Sequence, residues 1–572
     1  MTQEPSIYRQ IHAKAYGLNR EDGPFKTERK EFDGVAYQIY SHAPEILRDV
    51  FIARGRHFGA QEFLRYGDER LSFDELLDRA ATLAGRLVNE LGVKKGDRVA
   101  IAMRNCPEWM IAFLAIAACG GIVVPLNSWW EADELSYAMG DSGAKLVFSD
   151  EQRLARLRHY LERDGVRAIL ARRTTPATKS CLTFDDLCNA GNASDWPGVS
   201  IAGDDAVCIM YTSGSTGAPK GVVATNRGLV QALWFWLNLG AAVEQLFDIL
   251  PSAENRALLL NMPLFHVAGC YACFLLSLIS GRRIVMMNKW DAAEALRLIE
   301  EEKISHFNGA PAMVMDLLYA SSRAGKTLDS LVEITGSGAA TPPARIRYIA
   351  ENLPQVFPQA SYGMTETCGL GALIFADEYQ AKPDSVGLPN APIVEIRLAD
   401  KNGHDAPPGA EGEIWIKSIA NMSGYWNKPE ATREIFQDGW LRSGDLGRFD
   451  EDGCLYIVGR IKEIIIRGGE NVSCNEIEAL LFEHPDIEEA CIYGEPDERL
   501  GEIVAASIMP RAGANLTAEA VRDFLAPRLA RFKIPERIDF QASSLPRLAS
   551  GKIDRRKVRQ LRLARIADGA SV

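Results

Sequence analysis

The segment that most constrains the fold begins as an apolar strand pattern, Val207-Cys-Ile-Met-Tyr211, and runs directly into Thr-Ser-Gly-Ser-Thr-Gly-Ala-Pro-Lys-Gly221. Main-chain N–H groups of such a run can converge on an anion, because Gly214 and Gly217 tolerate the backbone angles that this requires. Thr212, Ser213, Ser215 and Thr216 add hydroxyl donors, and Lys220 adds a mobile positive charge. A flexible linker has a similar composition. A linker, however, does not leave a buried strand, and Pro219 stiffens this run. The segment therefore reads as a phosphate-holding loop, and the question is which phosphate chemistry it serves.

Two common answers fail on the residues. A Walker loop needs a lysine followed by Ser or Thr at the start of a helix. Here Gly221 follows Lys220, Val222-Val223 continues as strand, and helix signals begin only at Asn226. No Gly-x-Gly-x-x-Gly occurs in the run, so a Rossmann dinucleotide site is not indicated. The net charge of −12 argues against a general nucleic-acid binder and means that an anionic substrate must be met by local cations.

The chain of 572 residues has room for roughly three or four domain-sized units. After a polar N-terminal extension, residues 1–42, helix and strand patterns alternate for about 400 residues, the mark of an α/β fold with largely parallel sheets. Residues 72–91 read as an amphipathic helix, with Ser72 as N-cap and Glu75 at capping-box spacing. Strands are expected at 98–103, 121–125, 145–148 and 168–170, and a buried helix at 106–119. The most membrane-like run, 110–126, is broken by Gly120-Gly121 and Pro125 and is shorter than the ~20 apolar residues of a spanning helix. A texture of short strands and turns begins near Gly387 and predicts a small β-rich subdomain. The last hundred or so residues mix strands and helices and end in a basic stretch, 547–565, read either as a solvated helix or as a patch facing phosphates. Eleven scattered cysteines without a leader pattern suggest a reduced, cytoplasmic setting; Cys270 and Cys273 lie in an apolar segment and read as core rather than zinc ligands.

Five ordered stretches closely resemble the signatures of the adenylate-forming superfamily of acyl-CoA synthetases, peptide-synthetase adenylation domains and firefly luciferase. They are the loop 211–221, Tyr362-Gly-Met-Thr-Glu-Thr367, Asp438-Gly-Trp-Leu-Arg-Ser-Gly-Asp-Leu-Gly447, the run Gly459 to Asn471, and Pro546-Arg-Leu-Ala-Ser-Gly-Lys-Ile-Asp-Arg555. Together they cover about residues 45–560. The resemblance implies a large N-terminal domain to residue 461 (43–461), and a small mobile α+β domain at 462–572 turning about Lys462.

Matched position by position, the resemblance implies a role for each residue. Tyr362 lies against adenine, with Gly338, Ala339, Ser361, Gly363 and Met364 around the base. Thr365 contacts the α-phosphate, and Glu366 holds Mg²⁺, which favours carboxylate and phosphate oxygens. Asp445 accepts the ribose hydroxyls, supported by Arg460. Lys552 meets charge building at the carboxylate and α-phosphate, and Gly468, Gly469 and Glu470 serve the CoA half of the reaction. This chain carries Ser443 where Thr is usual and Glu463 where Asp is common. It has Ser473-Cys474-Asn475 in place of a segment that often holds proline, and Thr335-Gly-Ser-Gly-Ala339 in place of a Gly-Gly-Ala-Pro run.

The implied reaction is attack of a carboxylate on ATP to give acyl-adenylate and diphosphate, followed by displacement of AMP by CoA. Residues 261–271 border the acyl channel in relatives and hold no acid to pair with a substrate ammonium, which disfavours an amino acid. Trp234, Phe265 and Gly269 are expected at the acyl pocket, and His266 either gates it or caps the preceding strand. An apolar acid is expected, medium- to long-chain fatty ahead of aryl or polycyclic (steroid-side-chain-like). Loading of a carrier protein, use of the adenylate for oxidation or amide formation, and a non-catalytic acyl-nucleotide binder remain as alternatives. The expected partners are the acid, ATP and CoA, with a homodimer left open.

Overall fold

The two strands that flank the glycine-rich run, Ala206–Thr212 and Lys220–Thr225, pair antiparallel with Thr212 opposite Lys220. The run therefore connects two paired strands. The computed structural model describes residues 5–20, 22–172, 182–188, 195–212, 219–247, 255–336, 343–467, 470–548 and 551–567. Ser213, Gly214, Ser215, Thr216 and Gly217 lie outside the described residues, as do Gly338, Ala339, Gly468 and Gly469; of Lys462 and Glu470 only the backbone is described.

From Ala206–Thr212 the sheet continues through Ile122–Pro125, Arg98–Ala102, Leu146–Ser149, Arg167–Leu170 and Leu182–Thr183, all parallel. These strands read as short apolar runs because helices cover both faces. The expected helix at 72–91 spans Phe73–Asn89, and Ser72 and Glu75 form the reciprocal capping box. Pro107–Ala118, apolar all round, is a fully buried helix packed on it. Among the described residues no helix is long and apolar enough to cross a membrane.

A second, larger sheet positions the functional residues. Its parallel part runs Phe357–Gly363, Glu333–Gly336, His306–Gly309, Ala257–Leu260, Arg283–Met286 and Glu62–Tyr66. On the other side Gly371–Phe375 and Ser385–Pro389 add antiparallel and join Leu455–Arg460, Trp440–Phe449, Gly412–Ser418 and Val394–Ala399. The β-rich region past Gly387 is thus hydrogen-bonded onto the large sheet.

The C-terminal part has its own sheet, with Ile487–Asp497 and Gly501–Pro510 as a long hairpin and Arg537–Phe540 parallel to it. Helices Cys474–Leu481, Ala518–Leu525 and Arg555–Ala567 accompany it, around a separate core that includes Ile477, Ile492 and Val504. Five residues of the basic stretch are met by acids of the fold. Arg547 pairs with Glu489, Arg555 with Glu463 and Glu478, Arg559 with Glu502, Arg562 with Glu495 and Arg565 with Asp539. Acids spread over ~75 residues of sequence meet it only after folding, which is why a linear charge count misreads it.

The N-terminal extension also folds onto the body. Helix Ile7–Leu18 is capped by Ser6 and followed by a hairpin, Thr27–Phe32 with Val35–Tyr40. Tyr8 is wholly buried, donates to Leu373 O at 2.5 Å and accepts from Leu388 N at 2.7 Å. Its helix packs on Asn226–Leu246.

Candidate active site

Strand register builds the first cluster. Asp445 and Arg460 are opposite partners on Trp440–Phe449 and Leu455–Arg460, so their side chains meet: Arg460 Nε lies 2.9 Å from Asp445 Oδ1. The hydroxyl of Tyr362, near the end of Phe357–Gly363, donates to Asp445 Oδ2 at 2.9 Å. Ser443 Oγ accepts from Asp445 N at 3.0 Å, so serine supplies the turn-fixing hydroxyl. Burial raises the Asp445 carboxyl, and Arg460, Tyr362 and the charge of Lys552 pull it back down. Gly363 is required by space, since a Cβ there would fall 2.3 Å from Gly369 O.

The second cluster surrounds Glu366, in the single turn Thr365–Thr367. Its carbonyl accepts from Met422 N at 2.8 Å, and its Oε1 accepts from the Tyr425 hydroxyl at 2.9 Å. Burial raises this carboxyl too; the hydrogen bond from Tyr425 and the charges of Arg460 and Lys220 oppose the rise. Tyr425 is placed by pairing with Val222, on the strand that begins at Lys220, and the Lys220 ammonium lies 4.9 Å from its ring centroid. Sequence reasoning missed Tyr425. Nothing in Ser423-Gly-Tyr-Trp426 points to a carboxylate 59 positions earlier.

The third group faces these from two directions. His266 is fixed by its main chain, with its N–H on Pro263 O and its carbonyl accepting from Cys270 N, which starts the helical turn that follows. Its Nε2 is buried without a partner, and burial, with the nearby charge of Lys552, pushes the ring down to about 4, so it is neutral in ordinary buffers. Lys552 comes from the C-terminal part. A tight turn holds it: Leu548 N donates to Lys552 O at 2.7 Å, and Gly551 N donates to Leu548 O at 2.9 Å. The turn touches the N-terminal part, since a Cβ on Gly551 would lie 3.4 Å from Ala310 Cβ. Crowding by the surrounding walls, then the charge of Arg460, lowers the Lys552 ammonium, while Asp445 and Glu463 partly restore it.

Thr212, Lys220, Ser361, Met364, Thr365 and Trp234, with the residues just described, border one continuous cleft of about 3460 Å³ between the two parts. Trp234 is pinned by its Nε1–H on Pro24 O at 3.0 Å. Phe265 and Gly269 are buried and do not border the cleft. Phe265 packs on the His266 ring, and Gly269 is pressed against Pro263, where a Cβ would fall 2.1 Å from the carbonyl oxygen. Trp236, Val267 and Ala268 line the wall instead.

Chemically the cleft offers cations at two ends, Lys220 and Lys552, and two buried carboxylates already aimed by phenols. Asp445 can exchange its hydrogen bonds with vicinal hydroxyls. Glu366 has one oxygen held by Tyr425, which leaves carboxylate capacity for a hard cation. Groups of three or more His, Cys, Asp or Glu suited to an all-protein metal site are absent among the described residues. A cation here would take its other ligands from a phosphate substrate.

A sequence profile described as AMP-binding enzyme matches residues 51–426, and one described as AMP-binding enzyme C-terminal domain matches 476–552. The chain is 33% identical over 490 residues to the long-chain-fatty-acid–CoA ligase FadD13 of Mycobacterium tuberculosis, covering 85% of this chain and 92% of that protein. It is also 33% identical over 499 residues to a feruloyl-CoA synthase of Amycolatopsis sp, covering 87% and 95%. Among solved structures it resembles the o-succinylbenzoate CoA synthetase of Bacillus subtilis, solved with its acyl-adenylate intermediate and with ATP and a magnesium ion. The TM-score is 0.75 and the identity 27% for both; 89% of this chain is covered, and 97% and 99% of theirs.

Proposed function

The chain belongs to the AMP-binding enzyme family, and from that premise we propose the reaction and the roles of its residues. It is an AMP-forming acid–CoA ligase: carboxylic acid, ATP and CoA give acyl-CoA, AMP and diphosphate through an acyl-adenylate. The observation that carries this reading is the meeting, in one cleft, of Lys552 from the C-terminal part with Lys220, Glu366 and Asp445 from the N-terminal part.

A carboxylate and a triphosphate repel one another. The work of the protein is to neutralise that repulsion and hold the carboxylate oxygen in line with the α-phosphorus. Asp445 takes the ribose hydroxyls, Tyr362 covers the base, Thr365 reaches the α-phosphate, and Lys220 with the glycine-rich run holds the departing diphosphate. Glu366 is the residue that would hold Mg²⁺; its free oxygen and its buried setting suit that ion, which when bound offsets phosphate charge. Lys552 brings an ammonium to the oxygens on which charge builds during attack. His266, neutral and with Nε2 free to bond, orients the acyl end rather than moving a proton.

Thioesterification needs the thiol where Lys552 stands during adenylation. The small contact of Gly551 on Ala310 and the segment around Lys462 suit a rotation that withdraws the lysine turn and brings up 468–470. The acid is apolar along most of its length, as Trp234, Trp236, Val267 and Ala268 require. Diphosphate release across a panel of carboxylic acids, with and without CoA, tests the reading. AMP release that requires a thiol supports it, and no diphosphate release with any acid would overturn it.

A further inference from the structure

Three adjacent parallel strands at the centre of the large sheet carry polar residues along their inward face, with Phe357, opposite Glu333, the apolar exception at the deep end of the third. His306–Gly309 presents His306 and Asn308, Glu333–Gly336 presents Glu333 and Thr335, and Phe357–Gly363 presents Gln359 and Ser361; all six border the cleft. The alternate residues Phe307 and Ile334 face an apolar core on the other side. A central parallel sheet covered on both faces is ordinarily apolar on both, and the neighbouring strand obeys this with Leu258 and Leu260. The polarity is therefore confined to the stretch that lines the acyl side of the cleft, opposite Trp236, Ala272 and Cys273.

Register arranges these side chains in rows: His306 beside Glu333, then Asn308, Thr335 and Gln359 nearer the strand ends. Arg282 completes the deep row. Its Nε is held by Ser277 Oγ at 3.0 Å and one terminal nitrogen by Ala272 O at 3.4 Å, and Glu333 is the carboxylate whose charge reaches it. The hydroxyl of Thr335 donates to Glu333 at 2.9 Å, while Asn308 Oδ1 is buried with no partner among the described residues. A buried acceptor left unpaired is costly, so the free oxygen of Asn308 implies a ligand group that donates to it.

Resting on the ligase reading, we propose that the acid this enzyme activates carries an uncharged oxygen substituent, hydroxyl or carbonyl, at its far end, and that Arg282, Asn308 and Glu333 recognise it. Arg282 donates and Asn308 Oδ1 accepts, which suits a group that does both. Glu333 balances the charge of Arg282 and stands against a second carboxylate. Glu333 lies three residues and Asn308 one residue before the strand ends where the acid reacts, which sets the recognised group between them, roughly 3–10 Å below those ends.

The test is diphosphate release by the full-length enzyme with decanoic, ω-hydroxydecanoic and decanedioic acids under identical conditions. The ω-hydroxy acid is expected to lead in kcat/KM by at least about tenfold. Asn308→Leu should lower kcat/KM for the ω-hydroxy acid more than for decanoic acid, and Glu333→Gln should admit decanedioic acid. A wild-type enzyme that prefers decanoic or decanedioic acid overturns the inference, whatever the variants do. No diphosphate release with any of these acids or a wider panel would overturn the ligase reading and the inference with it.

Discussion

The hydroxyl of Tyr362 donates to Asp445 Oδ2 at 2.9 Å, joining strands whose sequences lie 83 residues apart. The bond aims the carboxylate before any nucleotide arrives, and Arg460 holds its other oxygen. Tyr362→Phe keeps the ring for the base but removes a hydrogen bond to a charged group, worth about 1.5 kcal/mol at the low end. The expected outcome is a KM for ATP raised roughly tenfold with kcat little changed. Asp445→Ala removes the proposed ribose acceptor itself and should cost more. An unchanged KM in both would detach this pair from nucleotide binding.

Lys552 gives a pH dependence with a definite sign. Its ammonium is lowered from the usual lysine value by crowding and then by Arg460, so it loses its proton at a lower pH than an exposed lysine does. The role proposed for Lys552 in adenylation needs the charged form. The rate of diphosphate release should therefore fall on the alkaline side, beginning below the ~10.4 of an ordinary lysine. Lys552→Arg should move that limb upward even where it lowers the plateau. His266, already neutral above about 4, contributes no limb between pH 6 and 9.

A substitution at Gly551 should separate the two half-reactions. The glycine has φ +83° and sits against Ala310. Gly551→Val would strain the backbone by ~1–2 kcal/mol and push the lysine turn off the N-terminal part. Formation of acyl-adenylate should drop by at least about tenfold, while transfer from preformed acyl-adenylate to CoA is nearly retained. Equal loss of both rates would show that the Gly551 contact is not specific to adenylation.

Legibility in the sequence followed the reach of the interactions. Ser72 with Glu75, and the strand that enters the glycine-rich run, depend on neighbours within a few positions, and both were readable. Glu366, Asp445 and Lys552 were proposed from contiguous motifs, and the fold gathers them at one cleft. Tyr425 was not, because its role is a bond to Glu366 made through a short strand pairing with Val222. Phe265 and Gly269 were expected at the acyl pocket because they adjoin His266, yet the turn at Pro263 directs both into packing and leaves Val267 and Ala268 on the wall. The polar stripe from His306 to Ser361 escaped notice for a related reason. Each strand alone shows only two polar residues, and the pattern exists only when three strands lie side by side.

The N-terminal extension is a wall of the cleft, where Ile11, Pro24 and Phe25 face Leu239, Val243 and Phe375. Tyr8 anchors it through Leu373 and Leu388. Tyr8→Phe leaves Leu388 N–H without its acceptor inside the protein, a cost of about 1–3 kcal/mol, and should lower the thermal midpoint. Removal of residues 1–26 should also open the acyl side. Relative activity should then shift toward bulkier acids, measurable as a changed ranking in the diphosphate assay and not only as a uniform loss.

Arg555 ties the lysine turn to the core of the C-terminal part. It pairs with Glu478 at 2.9 Å and with Glu463, three positions after Lys552. Burial raises the Glu478 carboxyl, and Arg555 is the charge that opposes the rise. Arg555→Ala would leave Glu478 buried and unpaired, and breaking such a pair costs ~3–5 kcal/mol. The carboxyl would then rise further, so the folded variant binds a proton more readily than the unfolded chain does. Its stability deficit should accordingly be largest at alkaline pH and shrink as pH falls through the raised value. Urea melts of wild type and variant at pH 8 and pH 5.5 measure this. Glu478→Gln placed on Arg555→Ala should recover part of the loss at pH 8, because an amide needs no counter-charge. Adenylation should track the same recovery, since the turn that presents Lys552 is only as well placed as the helix that begins at Arg555.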